Sequence, residues 1–108
     1  MPEPDAAIFE DADIQRGFIA LVQEALRQGR QGAFHESLLA ITDWGFRLED
    51  IRMPVRLWHG ELDRNIPLEM ARYTAKALPG SELKVFPGEG HLSLFKKNAG
   101  NIIRALVA

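Results

Sequence analysis

Cysteine is absent from this 108-residue chain, which excludes disulfides and thiolate metal sites. No apolar run approaches the ~20 residues of a membrane-spanning helix. Charge of neither sign dominates. Thirteen lysines and arginines against 15 aspartates and glutamates leave a net charge of −2, so nothing in the balance calls for nucleic acid or an anionic membrane as a partner. The first residues, Met1-Pro2-Glu3-Pro4-Asp5, lack the basic segment and apolar stretch of a secretory signal. Internal repeats and low-complexity tracts are also missing. These absences leave a soluble chain, expected in the cytoplasm. Its hydrophobic fraction of 46% and charged fraction of 26% suit a folded domain. The length fits one small domain or a piece of a larger one.

The stretch from Pro54 to His91 organises what is present. Two short apolar runs, residues 55–58 and 83–86, each end in a glycine-containing turn. A helical pattern over residues 68–78 lies between them, with Pro67 suited to its first turn and Pro79-Gly80 to its end. Its buried stripe is expected to be Met70, Tyr73, Ala77 and Leu78. This is the layout of a βαβ unit with parallel strands and a crossover helix. Parallel strands end on the same edge of a sheet, where chemistry in open α/β folds sits. The turn after the first run delivers Asp63, and the turn after the second delivers His91, so the two should emerge side by side. Taken singly, Asp63 reads more readily as a turn or cap acid and His91 as a surface histidine. Together in one βαβ frame they read as an acid–base pair.

Upstream, Asp11 or Asp13 can cap a helix over residues 13–28 with an apolar face of Ile14, Phe18, Leu21, Val22, Ala25 and Leu26. A second helix is expected over residues 33–42, broken by Asp43-Trp44-Gly45. Residues 1–10, with two prolines and several acids, read as an extended lead-in. After His91, a helix over residues 94–107 presents Phe95, Ala99, Ile102, Ile103 and Leu106 on one side. Lys84 inside a short strand suggests a sheet edge.

His-Gly-Glu-Leu-Asp-Arg-Asn-Ile-Pro at 59–67 followed by Pro-Gly-Glu-Gly-His at 87–91 resembles the end of an α/β-hydrolase of the serine type. The likeness extends upstream through residues 43–51. In that family the triad runs Ser, then Asp or Glu, then His along the chain. The resemblance assigns the triad acid to Asp63 and the triad base to His91. It implies no cofactor and no metal. The nucleophile elbow G-x-S-x-G is missing, because Ser37, Ser81 and Ser93 have no such flanks. The fold class expected is therefore a partial α/β-hydrolase fold. Late parallel strands with a crossover helix and a C-terminal helix follow two cap-region helices. Residues 1–50 would be the helical cap-region segment and residues 51–108 the C-terminal βαβα part of the core.

The function implied is that of a C-terminal portion of an ester or amide hydrolase, inactive by itself, whose whole protein takes a small-molecule substrate. The alternative is a non-catalytic binding or interaction module on the hydrolase frame. His59 reads as structural packing at a strand end, His35 as a partly exposed helix residue, and Glu61 and Glu89 as solvated turn acids. Arg64 reads as a surface ion-pair partner. Trp44 and Trp58 read as packing residues. A metal site from His59, Asp63 and His91 is chemically conceivable, although no metal-ligand spacing supports it. An unpaired strand edge and bare apolar faces would favour self-association, most simply as a homodimer.

Overall fold

The computed structural model describes residues 1–107. In chain order these form α1 (Glu3–Ile8), α2 (Ala12–Ala25), α3 (Gln31–Ile41), a 3-10 turn (Leu48–Asp50), β1 (Val55–Gly60), α4 (Leu68–Ala77), β2 (Ser81–Phe86) and α5 (His91–Val107). The chain divides into two compact units. One joins Met1–Ile8 to the residues from Leu48 onward, and the other is Phe9–Arg47.

The first unit contains the expected βαβ unit. β1 and β2 pair in parallel, in register from Val55↔Ser81 to Gly60↔Phe86, and α4 crosses between them. β1 continues two residues past its apolar run and β2 begins two residues before its own, because backbone pairing extends into flanking polar and glycine positions. Strand periodicity of two puts Val55, Leu57 and His59 on one face and Arg56 and Trp58 on the other. Ser81, Leu83 and Val85 share the first face. Ser81 Oγ lies 2.8 and 2.9 Å from the carbonyls of Ala75 and Leu78, which ties this face to the end of α4. On the opposite face Arg56 Nη1 donates to the Ala105 carbonyl of α5 at 2.6 Å. The sheet thus carries a helix on each side, as a parallel pair requires. Lys84 Nζ stands 5.2 Å from the Trp58 ring and 4.9 Å from the Phe86 ring, so its charge rests on aromatic faces while its tip meets water.

α4 is rotated from the face expected for it. Leu78 is buried as expected, but Met70 and Tyr73 are exposed and Ala71 is buried in their place. Small residues let the helix lie close to the sheet, and apolar residues on both of its sides made the phase ambiguous. In α5, Ser93 and Leu94 are buried, whereas Phe95, Ile103 and Leu106 are exposed. Residues 1–10 are not an extended lead-in. Pro2 accepts backbone hydrogen bonds from Asp5 and Ala6 at 3.1 and 3.0 Å, and Pro4 falls in the first turn of α1, where a missing N–H costs nothing. α1 packs on α5.

In the second unit Asp11 caps α2, its Oδ1 accepting from Asp13 N at 2.8 Å. Gly29, at φ 98°, follows the end of that helix in the left-handed conformation that glycine adopts freely. Phe9 and Phe18 meet edge to face at 5.2 Å. Trp44 Nε1 donates to the Leu39 carbonyl at 2.7 Å. Trp44 itself is mostly exposed, so its indole braces the end of α3 and fills no core. Neither α2 nor α3 contains a buried residue; Phe18, Leu21, Phe34 and Ile41 all lie open on their faces.

Candidate active site

The carboxyl ends of β1 and β2 feed two turns that are laced together by backbone hydrogen bonds. Glu61 N donates to Phe86 O at 3.0 Å and Leu62 N donates to Glu89 O at 2.8 Å. Gly60 permits this approach. A Cβ there would lie 2.5 and 2.6 Å from the carbonyl oxygens of Glu89 and Gly90, closer than real Cβ contacts come. The lacing sets Asp63 and His91 against each other.

The Asp63 carboxylate is divided between two tasks. Oδ1 accepts the backbone N–H groups of Asn65 and Ile66, both at 2.9 Å, so the turn-acid role considered for this residue is also filled. Oδ2 lies 2.9 Å from His91 Nδ1. Asp63's side chain is 5% exposed and that of His91 is 41% exposed, so the acid is enclosed while the imidazole faces outward. Burial by itself would raise the Asp63 pKa. The Ile66 N–H, the hydrogen bond and positive charge of His91, and the Asn65 N–H outweigh it and hold the carboxyl below its ordinary range. An ionised Asp63 takes the Nδ1–H of His91, which fixes the tautomer and leaves a lone pair on Nε2.

His59 braces the same loop. Its Nε2 is 2.7 Å from the Ile66 carbonyl and 3.7 Å from Asp63 Oδ2. Ile66 is thus held through its N–H by Asp63 and through its carbonyl by His59, and the histidine packs at the strand end as its position suggested. Among the described residues, no group of three or more histidine or acidic side chains is disposed to hold a metal ion. Glu89 pairs with Lys97 at 3.2 Å. Glu61 and Arg64 are exposed, as is His35 on α3.

Each serine hydroxyl is engaged locally. Ser37 Oγ donates to Ala33 O and Ser81 Oγ faces the end of α4. Ser93 Oγ accepts from Gly90 N at 2.8 Å, and Ser93 is fully buried. Proximity to His91 in the sequence therefore does not make Ser93 a nucleophile.

Sequence reasoning missed Asp5. It is 3% exposed, and its carboxylate accepts the backbone N–H groups of His91, Leu92 and Ser93 at 2.8, 3.0 and 2.8 Å. The available signal was negative. Gly90 stands where a helix normally carries a capping side chain, so an acceptor had to come from elsewhere.

No helix among the described residues is long and apolar enough to cross a membrane. No solved structure matches the chain. Over 68 residues, 63% of the chain, it is 44% identical to a pimeloyl-[acyl-carrier protein] methyl ester esterase of Aromatoleum aromaticum, and it spans 27% of that relative's length. Residues 23–98 match the alpha/beta hydrolase fold family. With a parallel βαβ unit that sets an acid and a histidine on one sheet edge, and a family match over most of its length, the chain belongs to the α/β-hydrolase fold family.

Proposed function

We propose that Asp63 and His91 are the acid and base of a Ser-Asp-His triad in an ester hydrolase, and that the serine and the oxyanion hole lie in residues outside this sequence. The observation that carries this reading is the 2.9 Å contact between Asp63 Oδ2 and His91 Nδ1 at the shared carboxyl edge of β1 and β2. The order acid then histidine agrees with the family's order, in which the serine comes first. The relative's name supplies the substrate class, an ester; amide-type substrates follow the same chemistry.

In this mechanism the serine hydroxyl attacks the substrate carbonyl and His91 Nε2 takes its proton. Asp63 stays ionised and stabilises the imidazolium, a role that suits a carboxyl held below its usual range. The tetrahedral intermediate then collapses, and the leaving alkoxide receives the proton from His91. Water repeats the sequence to release the acid and restore the serine. The contact with Asp63 occupies Nδ1 of a side chain that is 41% exposed, so the other ring nitrogen, Nε2, is the one left for the nucleophile.

The test compares this chain with the same protein extended by the residues encoded upstream. The 108-residue chain should hydrolyse p-nitrophenyl esters no faster than its His91→Ala variant, because the nucleophile and oxyanion donors act in the transition state. The extended protein should turn over the ester and be labelled by a fluorophosphonate at an upstream serine. Robust turnover by the short chain would refute the placement of the nucleophile. An upstream elbow that carries no serine, with no turnover, would favour a binding protein on the hydrolase frame.

A further inference from the structure

We propose that Asp5 is a positioning residue for His91, one that holds the first turn of α5 so that the imidazole stays aligned on Asp63. The inference rests on the triad reading above and adds a residue to it.

The first N–H groups of a helix have no partner within it. In most helices a side chain at the capping position accepts one or two of them. Gly90 occupies that position before α5 and has no side chain to offer. Asp5, 86 positions away from His91 in the sequence, supplies both carboxylate oxygens instead. Oδ2 takes the His91 N–H, and Oδ1 takes those of Leu92 and Ser93. Ser93 Oγ reaches back to Gly90 N, which is the reciprocal half of a capping box. The box is thus completed by a residue from another part of the chain. A negative charge at this end of α5 also meets the positive end of the helix dipole.

Gly90 fits this arrangement sterically. A Cβ at that position would lie 2.2 Å from Asp5 Oδ2 and 2.5 Å from Cγ, so any other residue would displace the carboxylate. Asp5 is in turn fixed by α1, whose first turn bonds Asp5 N to Pro2 O at 3.1 Å. His91 is the first residue of α5. First residues of helices fray when their N–H groups are free. Here the His91 backbone is bonded to one buried carboxylate and its ring to another, so the ring's aim depends on both.

The experiment follows the Nδ1–H proton of His91 by NMR in the full 108-residue chain, together with amide hydrogen exchange. In the unaltered chain this proton should resonate at low field, bonded to Asp63. The amides of His91, Leu92 and Ser93 should exchange slowly, unlike ordinary first-turn amides. Asp5→Asn keeps one acceptor oxygen, enough for Leu92 and Ser93, but turns an NH₂ toward the His91 N–H. Exchange of the ring proton should accelerate about 10- to 100-fold, the value of a hydrogen bond to a charged group, while the sheet amides remain protected. Gly90→Ala, which leaves Asp5 intact but displaces it, should do the same.

An unchanged ring proton in a folded Asp5→Asn or Gly90→Ala chain would overturn the proposal. Should both variants fail to fold, the unaltered chain decides: rapid exchange at the His91 amide overturns the proposal and slow exchange supports it. Absence of the low-field proton from the unaltered chain would reject the Asp63–His91 pair itself. Its presence without response to either variant rejects only the role of Asp5.

Discussion

Replacing Gly60 by alanine should unlock the site from its scaffold. The new Cβ would lie 2.5 Å from the Glu89 carbonyl oxygen and 2.6 Å from that of Gly90. Carbon–oxygen contacts normally settle at about 3.3–3.6 Å, so one partner must retreat by roughly 1 Å. Both obstacles are main chain and cannot rotate aside. The retreat must pull the Asp63 turn from the His91 turn and strain the 2.8 Å bond between Leu62 N and Glu89 O. Overpacking of this kind costs about 1–3 kcal/mol, and the weakened backbone bond adds about 1 kcal/mol. The sum, about 2–4 kcal/mol, corresponds to a fall in Tm of roughly 10–20 °C for a domain of this size. Thermal unfolding followed by circular dichroism measures it, and the low-field His91 proton reports whether the pair has parted. A Tm within about 2 °C of wild type, with that proton intact, would refute the reasoning that these two turns are locked at Gly60.

Acidification should act through Asp63. Its folded pKa lies below the ordinary carboxylate value of about 3.9, so its contribution to stability is present above that value and is lost as pH falls through the folded pKa. The Tm gap between wild type and Asp63→Asn should therefore narrow as pH falls below about 4; a gap undiminished at about pH 2 contradicts this. Self-association is proposed from the open edges of a two-stranded sheet and the apolar groove beside β1 lined by Pro54, Val55, Trp58, Ile102 and Leu106. Light scattering at micromolar concentration should report a dimer or larger species, and a clean monomer would dismiss it.

The βαβ unit was legible because its signals are local. Apolar runs, Pro54 and Pro67, and the Pro79-Gly80 break all mark boundaries through backbone chemistry. The pairing of Asp63 with His91 was legible for a topological reason, since parallel strands bring their ends to one edge. The burial of α4 was misread because Met70 and Tyr73 look more apolar than Ala71, and only the sheet's proximity makes the small residue the inward one. α1 was missed because prolines at Pro2 and Pro4 suggest extended chain, yet both sit where a helix tolerates them. Asp5 could not be placed by any local pattern. Its partners lie more than 80 positions along the chain, and such a distance leaves no periodicity to read. The gap it fills was hidden as well, because the expected helix started at Leu94, whereas α5 begins at His91, directly after Gly90.

The most direct test of the Asp63–His91 pair as working acid and base is the kcat of the upstream-extended protein carrying Asp63→Asn. The asparagine preserves shape but turns an amide toward His91 and favours the wrong tautomer. If Asp63 orients a catalytic His91, kcat on a p-nitrophenyl ester should fall on the order of 10⁴-fold with KM little changed. A loss smaller than about tenfold would contradict it and leave Asp63 as the turn-stabilising acid that its bonds to Asn65 and Ile66 alone would make it.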